Sequence, residues 1–158
     1  MPIAASDVQG KVGTEFDYGK TRLTTSGEVP ATPIDMIEGL PRIDFVKIDV
    51  EGMELKVLNG MRQTIASYKP QMLIEMQDPT TYADTFDFLN GFGYNIYWLP
   101  VSTYTESNHK NNTEDVFGIH HGVINWIAST SDLSEKLASV VDRDDTVERM
   151  VYRTSQNG

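Results

Sequence analysis

The stretch Lys47-Ile48-Asp49-Val50-Glu51-Gly52-Met53-Glu54 sets three carboxylates within six residues, at the end of an apolar run. Acids at the end of a strand can take a proton from a hydroxyl, recognise hydroxyls or hold a divalent ion. Asp49 and Glu51 are two positions apart, so in an extended chain they face the same way. Gly52 permits a sharp turn, and the N–H groups that open a following helix would face the same crevice. The plain alternative is that Asp49 and Glu51 cap that helix. Lys47 either pairs with this acid cluster or lays its stem along the sheet edge.

Glu75 ends the next apolar run, Gln71-Met72-Leu73-Ile74-Glu75-Met76, and meets Asp49 if the two runs are neighbouring strands. Asp49, Glu51 and Glu75 at one rim would suggest a divalent ion, a general base or hydroxyl recognition. The carboxylates do not say which ion. His109, His120 and His121 fall in or after a polar connection running from Pro100 to His121. Neighbours at 120 and 121 face opposite sides of an extended chain and make no metal pair, although one could reach the rim as a base. A metal-dependent hydrolase built on the same acids needs His120 or His121 as a further ligand.

The elements that must position these acids follow from periodicity. Ile43 to Val50 is β-branched and aromatic and reads as a strand covered on both faces. Val57, Met61, Ile65 and Tyr68 form one helical stripe that ends at Pro70, with Gly60 as a kink or junction. Asp78-Pro79-Thr80 can cap a further helix, whose stripe is Tyr82, Phe86 and Leu89 and whose stop is Gly91 and Gly93. Tyr94 to Leu99 and Gly122 to Ala128 are further strands, and Trp98, Trp126, Tyr94 and Tyr97 read as packing. Gly91-Phe92-Gly93 follows a helix and is a helix stop, not a phosphate cradle.

Upstream, Ile3 to Thr25 reads as brief strands joined by turns. Val29 to Ile37 reads as an extended piece entering a short helix, capped by Thr32 with Pro33 at its first position. Strand and helix alternate, which predicts an α/β fold with a parallel sheet. Residues 1–130 are expected to form the domain. Residues 131–158 are expected to add a helix, Asp132 to Val141, and a frayed tail. The Pro100–His121 connection is long enough to act as a lid on the substrate side.

Composition narrows the partners. A chain of 158 residues fits one domain with a sizeable core. Its 23 acids against 13 basic residues give a net charge of -10, and no basic run is present, which argues against nucleic acid. Cysteine is absent, removing thiol nucleophiles, zinc–thiolate sites and disulfides. No run approaches the roughly 18 apolar residues of a membrane span, and the first residues lack a secretory pattern, so the cytoplasm is the expected location. Without that pattern the acceptor motif Asn111-Asn112-Thr113 carries little weight.

Asp44 to Glu54, followed by Val57-Leu58-Asn59-Gly60-Met61, resembles the signature block of the FkbM-type methyltransferases. Pro70 to Glu75 is similar to that family's next strand, and Gly91-Phe92-Gly93-Tyr94 to its following strand entry. Ala4 to Gly10 and Pro33-Ile34-Asp35 also resemble family landmarks, so the likeness spans roughly residues 3–129. It implies a Rossmann-like methyltransferase sheet, mixed with mostly parallel strands flanked by helices. It also implies methyl transfer from S-adenosylmethionine to a hydroxyl of a small molecule or sugar. By the same resemblance Asp49, Glu51 and Glu54 lie at the reaction centre, Ser6 and Asp7 lie near the adenine, and Asp49 also contacts the cofactor.

The family's opening strand with its glycine-rich loop, and the acidic strand end after it, have no counterpart here. The chain is expected to start at about the third strand of that sheet, and the edge this leaves is expected to associate with a second copy or a partner chain. A non-catalytic binding or assembly module derived from the fold is the remaining alternative.

Overall fold

The computed structural model describes residues 4–5, 7, 9–17, 20–102, 104, 109–111, 113–114, 122–140 and 148–149. The chain first forms β1 (Ala4–Ala5), β2 (Gly10–Asp17) and β3 (Lys20–Thr32), a small sheet in the order β1-β3-β2. β2 and β3 pair antiparallel with an irregularity between Val12 and Gly13, and β1 runs parallel to the end of β3. The expected brief strands are thus longer, because β3 continues through the Val29–Thr32 stretch.

A single 3-10 turn, Ile34–Met36, follows; Pro33 is still extended at ψ 140° and no side chain caps the turn, so the expected cap at Thr32 is not made. The turn instead serves a helix elsewhere. The predicted helical stripe is divided at Gly60 into α1 (Glu54–Asn59) and α2 (Arg62–Tyr68), which resolves that glycine as a junction. Met61, preceding α2, supplies no capping side chain. Asp35 supplies it from a distance: its carboxylate accepts from the Gln63 N–H at 2.8 Å, the Thr64 N–H at 2.9 Å and the Thr64 hydroxyl at 2.7 Å. The Asp35 N–H in turn donates to the Gly60 carbonyl at 3.0 Å. Asp35→Ala is expected to cost about 2 kcal/mol in urea unfolding, the upper end for a lost cap, because two helix N–H groups lose their acceptor together. A cost below about 0.5 kcal/mol would mean water replaces the carboxylate freely.

β4 (Phe45–Ile48) and β5 (Gln71–Glu75) pair in parallel, as the convergence of Asp49 and Glu75 requires. After β5, Asp78 caps a second 3-10 turn, Pro79–Thr81, by accepting from the Thr80 N–H at 2.9 Å, and α3 (Tyr82–Gly91) follows. β6 (Asn95–Ser102), β7 (Gly122–Ser129), α4 (Ser134–Val140) and β8 (Glu148–Arg149) complete the described elements. β6 runs on through Ser102, so the polar connection begins later than Pro100; most of it, with His120 and His121, lies outside the described residues.

The larger sheet has the order β4-β5-β7-β6-β8. β4, β5 and β6 share a direction, but β7 inserts antiparallel between β5 and β6, and β8 also pairs antiparallel. The expected mixed α/β sheet flanked by helices is present, but its strands are not mostly parallel: in this sheet only the β4–β5 pairing is parallel among the described residues. A strand that returns through a long connection is free to enter in either direction, and alternation of elements alone does not fix which.

The pleat sorts the residues. Ile48, Met72, Ile74, Ile96, Trp126 and Ala128 share one face and form the core with Val57, Leu58, Met61, Ile65, Phe86 and Leu89 of the helices. On the opposite face Phe45 is 59% exposed, and among the described strands β4 has only β5 as a neighbour. The expectation that β4 is covered on both faces therefore does not hold for the described residues. Tyr97, on this second face, is buried where its hydroxyl donates to Asp132 at 2.8 Å and accepts from the Leu133 N–H.

Tyr94 is buried, and its hydroxyl donates to the Pro70 carbonyl at 2.9 Å. Burial pushes that hydroxyl from its ordinary 10.0 up to about 12. The folded state thus keeps a proton that the unfolded state releases, so this contribution is complete below pH 10 and is lost between pH 10 and about 12. Urea midpoints should fall over that window, and Tyr94→Phe should flatten part of the fall; an identical pH profile in Tyr94→Phe would contradict this.

Candidate active site at the carboxyl ends of the first two sheet strands

Ligands in α/β sheets bind beyond the carboxyl ends of the strands, and here β4 and β5 end side by side. Ile48 lies opposite Ile74, so Asp49, one residue past β4, comes beside Glu75, the last residue of β5. The Lys47 ammonium donates to Asp49 Oδ2 at 2.8 Å, with the two side chains 54% and 42% exposed. That hydrogen bond and the Asp49 charge raise the Lys47 pKa, and Glu75 adds to the rise. Lys47 therefore pairs within the acid cluster instead of lying free along the edge. Glu75 is half-buried and accepts from the Gln77 side-chain amide at 2.7 Å.

The turn that follows departs from expectation. β4 ends at Ile48, and Glu51 and Gly52 take left-handed backbones, φ 51° and φ 90°. Asp49 and Glu51 are therefore not successive residues on one strand face; the extended geometry that would align them has already ended. A Cβ on Gly52 would meet only the Asp78 Cβ at 3.9 Å, so the turn after β4 lies against the turn after β5.

Glu54 is not at the rim. It is fully buried at the start of α1, its Oε1 accepts from the Gly52 N–H at 2.8 Å, and its Oε2 has no partner among the described residues. Tyr82 lies between these elements, edge-on to Trp126 at 5.3 Å and to Trp98 at 6.1 Å, with its hydroxyl donating to the Met76 carbonyl at 3.3 Å. Burial raises its pKa, with further contributions from Glu54 and Asp78. The sequence does not show the nearness of Asp78 and Tyr82: Asp78 reads there only as a cap and Tyr82 as one position of an apolar stripe.

Among the described residues no three of His, Asp and Glu gather in a way that could hold a metal ion. Asp49 is engaged by Lys47 and Glu75 by Gln77, so these donors do not fit a metal centre, and no chemical step is assigned to one. Asp7 is exposed, Ser6 lies outside the described residues, and His109 is exposed. A shallow groove of about 250 Å³ lies between the Ile34–Leu40 stretch and α2, and none of the strand-end acids lines it.

The family profile described as the Methyltransferase FkbM domain matches residues 2–96, which include both strand ends and the turns between them. The chain belongs to the FkbM methyltransferase family. The match stops just inside β6, short of the wider span that the motifs alone delimit. No curated protein and no solved structure matches this FkbM domain significantly. No helix among the described residues of the FkbM chain is long and apolar enough to cross a membrane.

Proposed function

We propose that this FkbM-family chain carries the acceptor side of an S-adenosylmethionine-dependent methyltransferase that modifies a hydroxyl of a small molecule or sugar. The observation that carries the reading is the side-by-side placement of Asp49, just past β4, and Glu75, at the end of β5, inside the segment that the family profile matches. Exposed carboxylates suit a cationic donor and its hydroxyls, so the chemistry of the donor set fits the cofactor the family uses. When bound, that cofactor supplies a methyl group on a sulfonium that is already reactive toward oxygen.

The protein's part is then to align the acceptor oxygen and receive its proton as the new C–O bond forms and the S–C bond breaks. Asp49 is the first choice of base: Lys47 engages only its Oδ2, and the carboxylate stays 42% exposed. Glu51, half-buried in the left-handed turn, is the second. Glu75 supports the site through its charge on Lys47. Ser6 and Asp7, with Asp49, are the cofactor contacts that the family resemblance implies. The Rossmann-like assignment of the whole sheet belongs to the same proposal, and the β4-β5-β7-β6 order is compatible with it.

The test is methyl transfer from methyl-labelled S-adenosylmethionine to a panel of sugars and small alcohols. Label in a base-stable ether product supports hydroxyl methylation. Label only in a base-labile ester would move the acceptor to a carboxylate and overturn the reading.

A further inference from the structure

The turn between β4 and α1 holds a glutamate, Glu51, and Gly52 in consecutive left-handed conformations. Gly52 accepts φ 90° without steric cost, whereas Glu51 takes φ 51° against the preference of its side chain. Such conformations persist where surrounding structure enforces them. Glu54 meets the turn directly: its buried Oε1 accepts the Gly52 N–H at 2.8 Å. Stability does not explain this glutamate. A fully buried carboxyl with one oxygen unpartnered among the described residues is costly, and an apolar side chain of the same size would fill the space at less expense.

We infer that Glu54 is the positioning residue of the site: its buried carboxyl holds the Glu51–Gly52 turn in its left-handed form and so fixes where Asp49 and Glu51 present their carboxylates. The hold on the turn is independent of any reaction; its consequence for binding rests on the methyltransferase reading above.

The experiment is amide hydrogen exchange by NMR on the wild-type chain, Glu54→Met and Glu54→Gln, with S-adenosylhomocysteine titrated into each. Methionine matches the reach of glutamate without an acceptor oxygen and needs no hydrogen-bond partner when buried, so Glu54→Met should melt no lower than wild type. Its Gly52 amide should nevertheless exchange about tenfold faster or more, while the Ile65 and Gln71 amides, bonded to the Met61 and Asp44 carbonyls, stay as protected as before. Glu54→Gln keeps an acceptor and should restore Gly52 protection to within about threefold. Affinity for S-adenosylhomocysteine should fall about tenfold in Glu54→Met and recover in Glu54→Gln. Unchanged Gly52 exchange in Glu54→Met overturns the inference. So does faster exchange at all three amides or loss of cooperative unfolding, either of which assigns Glu54 to stability alone. If the wild type binds no S-adenosylhomocysteine, the proposed function fails while the amide pattern still decides the role of Glu54.

Discussion

Asp49→Ala is expected to lower methyl transfer by about 10²–10⁴-fold, the range for removing a positioned proton acceptor. The fold should survive, because the ion pair that is lost with Lys47 is exposed and screened by solvent. Activity and stability therefore separate at this residue. Glu75→Ala should cost less, since Glu75 reaches the site only through its charge on Lys47 and its bond from Gln77. If Glu51→Ala is the variant that loses two or more orders of magnitude, and Asp49→Ala less than about tenfold, the base is Glu51. Transfer rates for the three variants, measured beside their urea midpoints, make the assignment.

Trp126→Ala carries the largest expected loss of stability, about 3–5 kcal/mol. Trp126 is fully buried in the middle of β7, opposite Ile74 on one side and Trp98 on the other, with Tyr82 edge-on at 5.3 Å. Its removal empties the centre of the helix-covered face. Against a typical stability of 5–15 kcal/mol, that loss should lower the melting temperature by on the order of 10 °C. Trp126→Phe should be much milder, because the indole N–H has no partner among the described residues and only volume is lost. A Trp126→Ala protein that melts within a few degrees of wild type would show that β7 does not anchor this core.

The two strand ends that carry the proposed chemistry were legible in the sequence because each follows a short run of β-branched or large apolar residues. The run from Phe45 to Ile48 and that from Gln71 to Glu75 became β4 and β5, and Gly60 ended a helix where its missing side chain predicted a break. The return strand was also visible, but its place and direction were not. Apolar periodicity reports which residues are buried, not which neighbour buries them, so nothing in Gly122 to Ala128 announced an antiparallel insertion between β5 and β6.

The acids show the same limit more sharply. Asp49, Glu51 and Glu54 look alike in sequence, yet one pairs with Lys47 at the surface, one sits in a left-handed turn and one is buried beneath it. Two-residue spacing aligns side chains only while a strand lasts, and β4 ends before Asp49. The cap from Asp35 to α2 was likewise invisible, because it bridges 28 residues of sequence to Gln63.

Calorimetric titration of the purified chain with S-adenosylhomocysteine, alongside Asp49→Ala, asks directly whether these strand ends hold the methyl donor. Donor binding at the β4 and β5 strand ends predicts a saturable titration in the micromolar range for the wild type and a loss of at least about tenfold in Asp49→Ala, equivalent to about 1.4 kcal/mol. No heat and no thermal shift with the folded wild-type chain would contradict it.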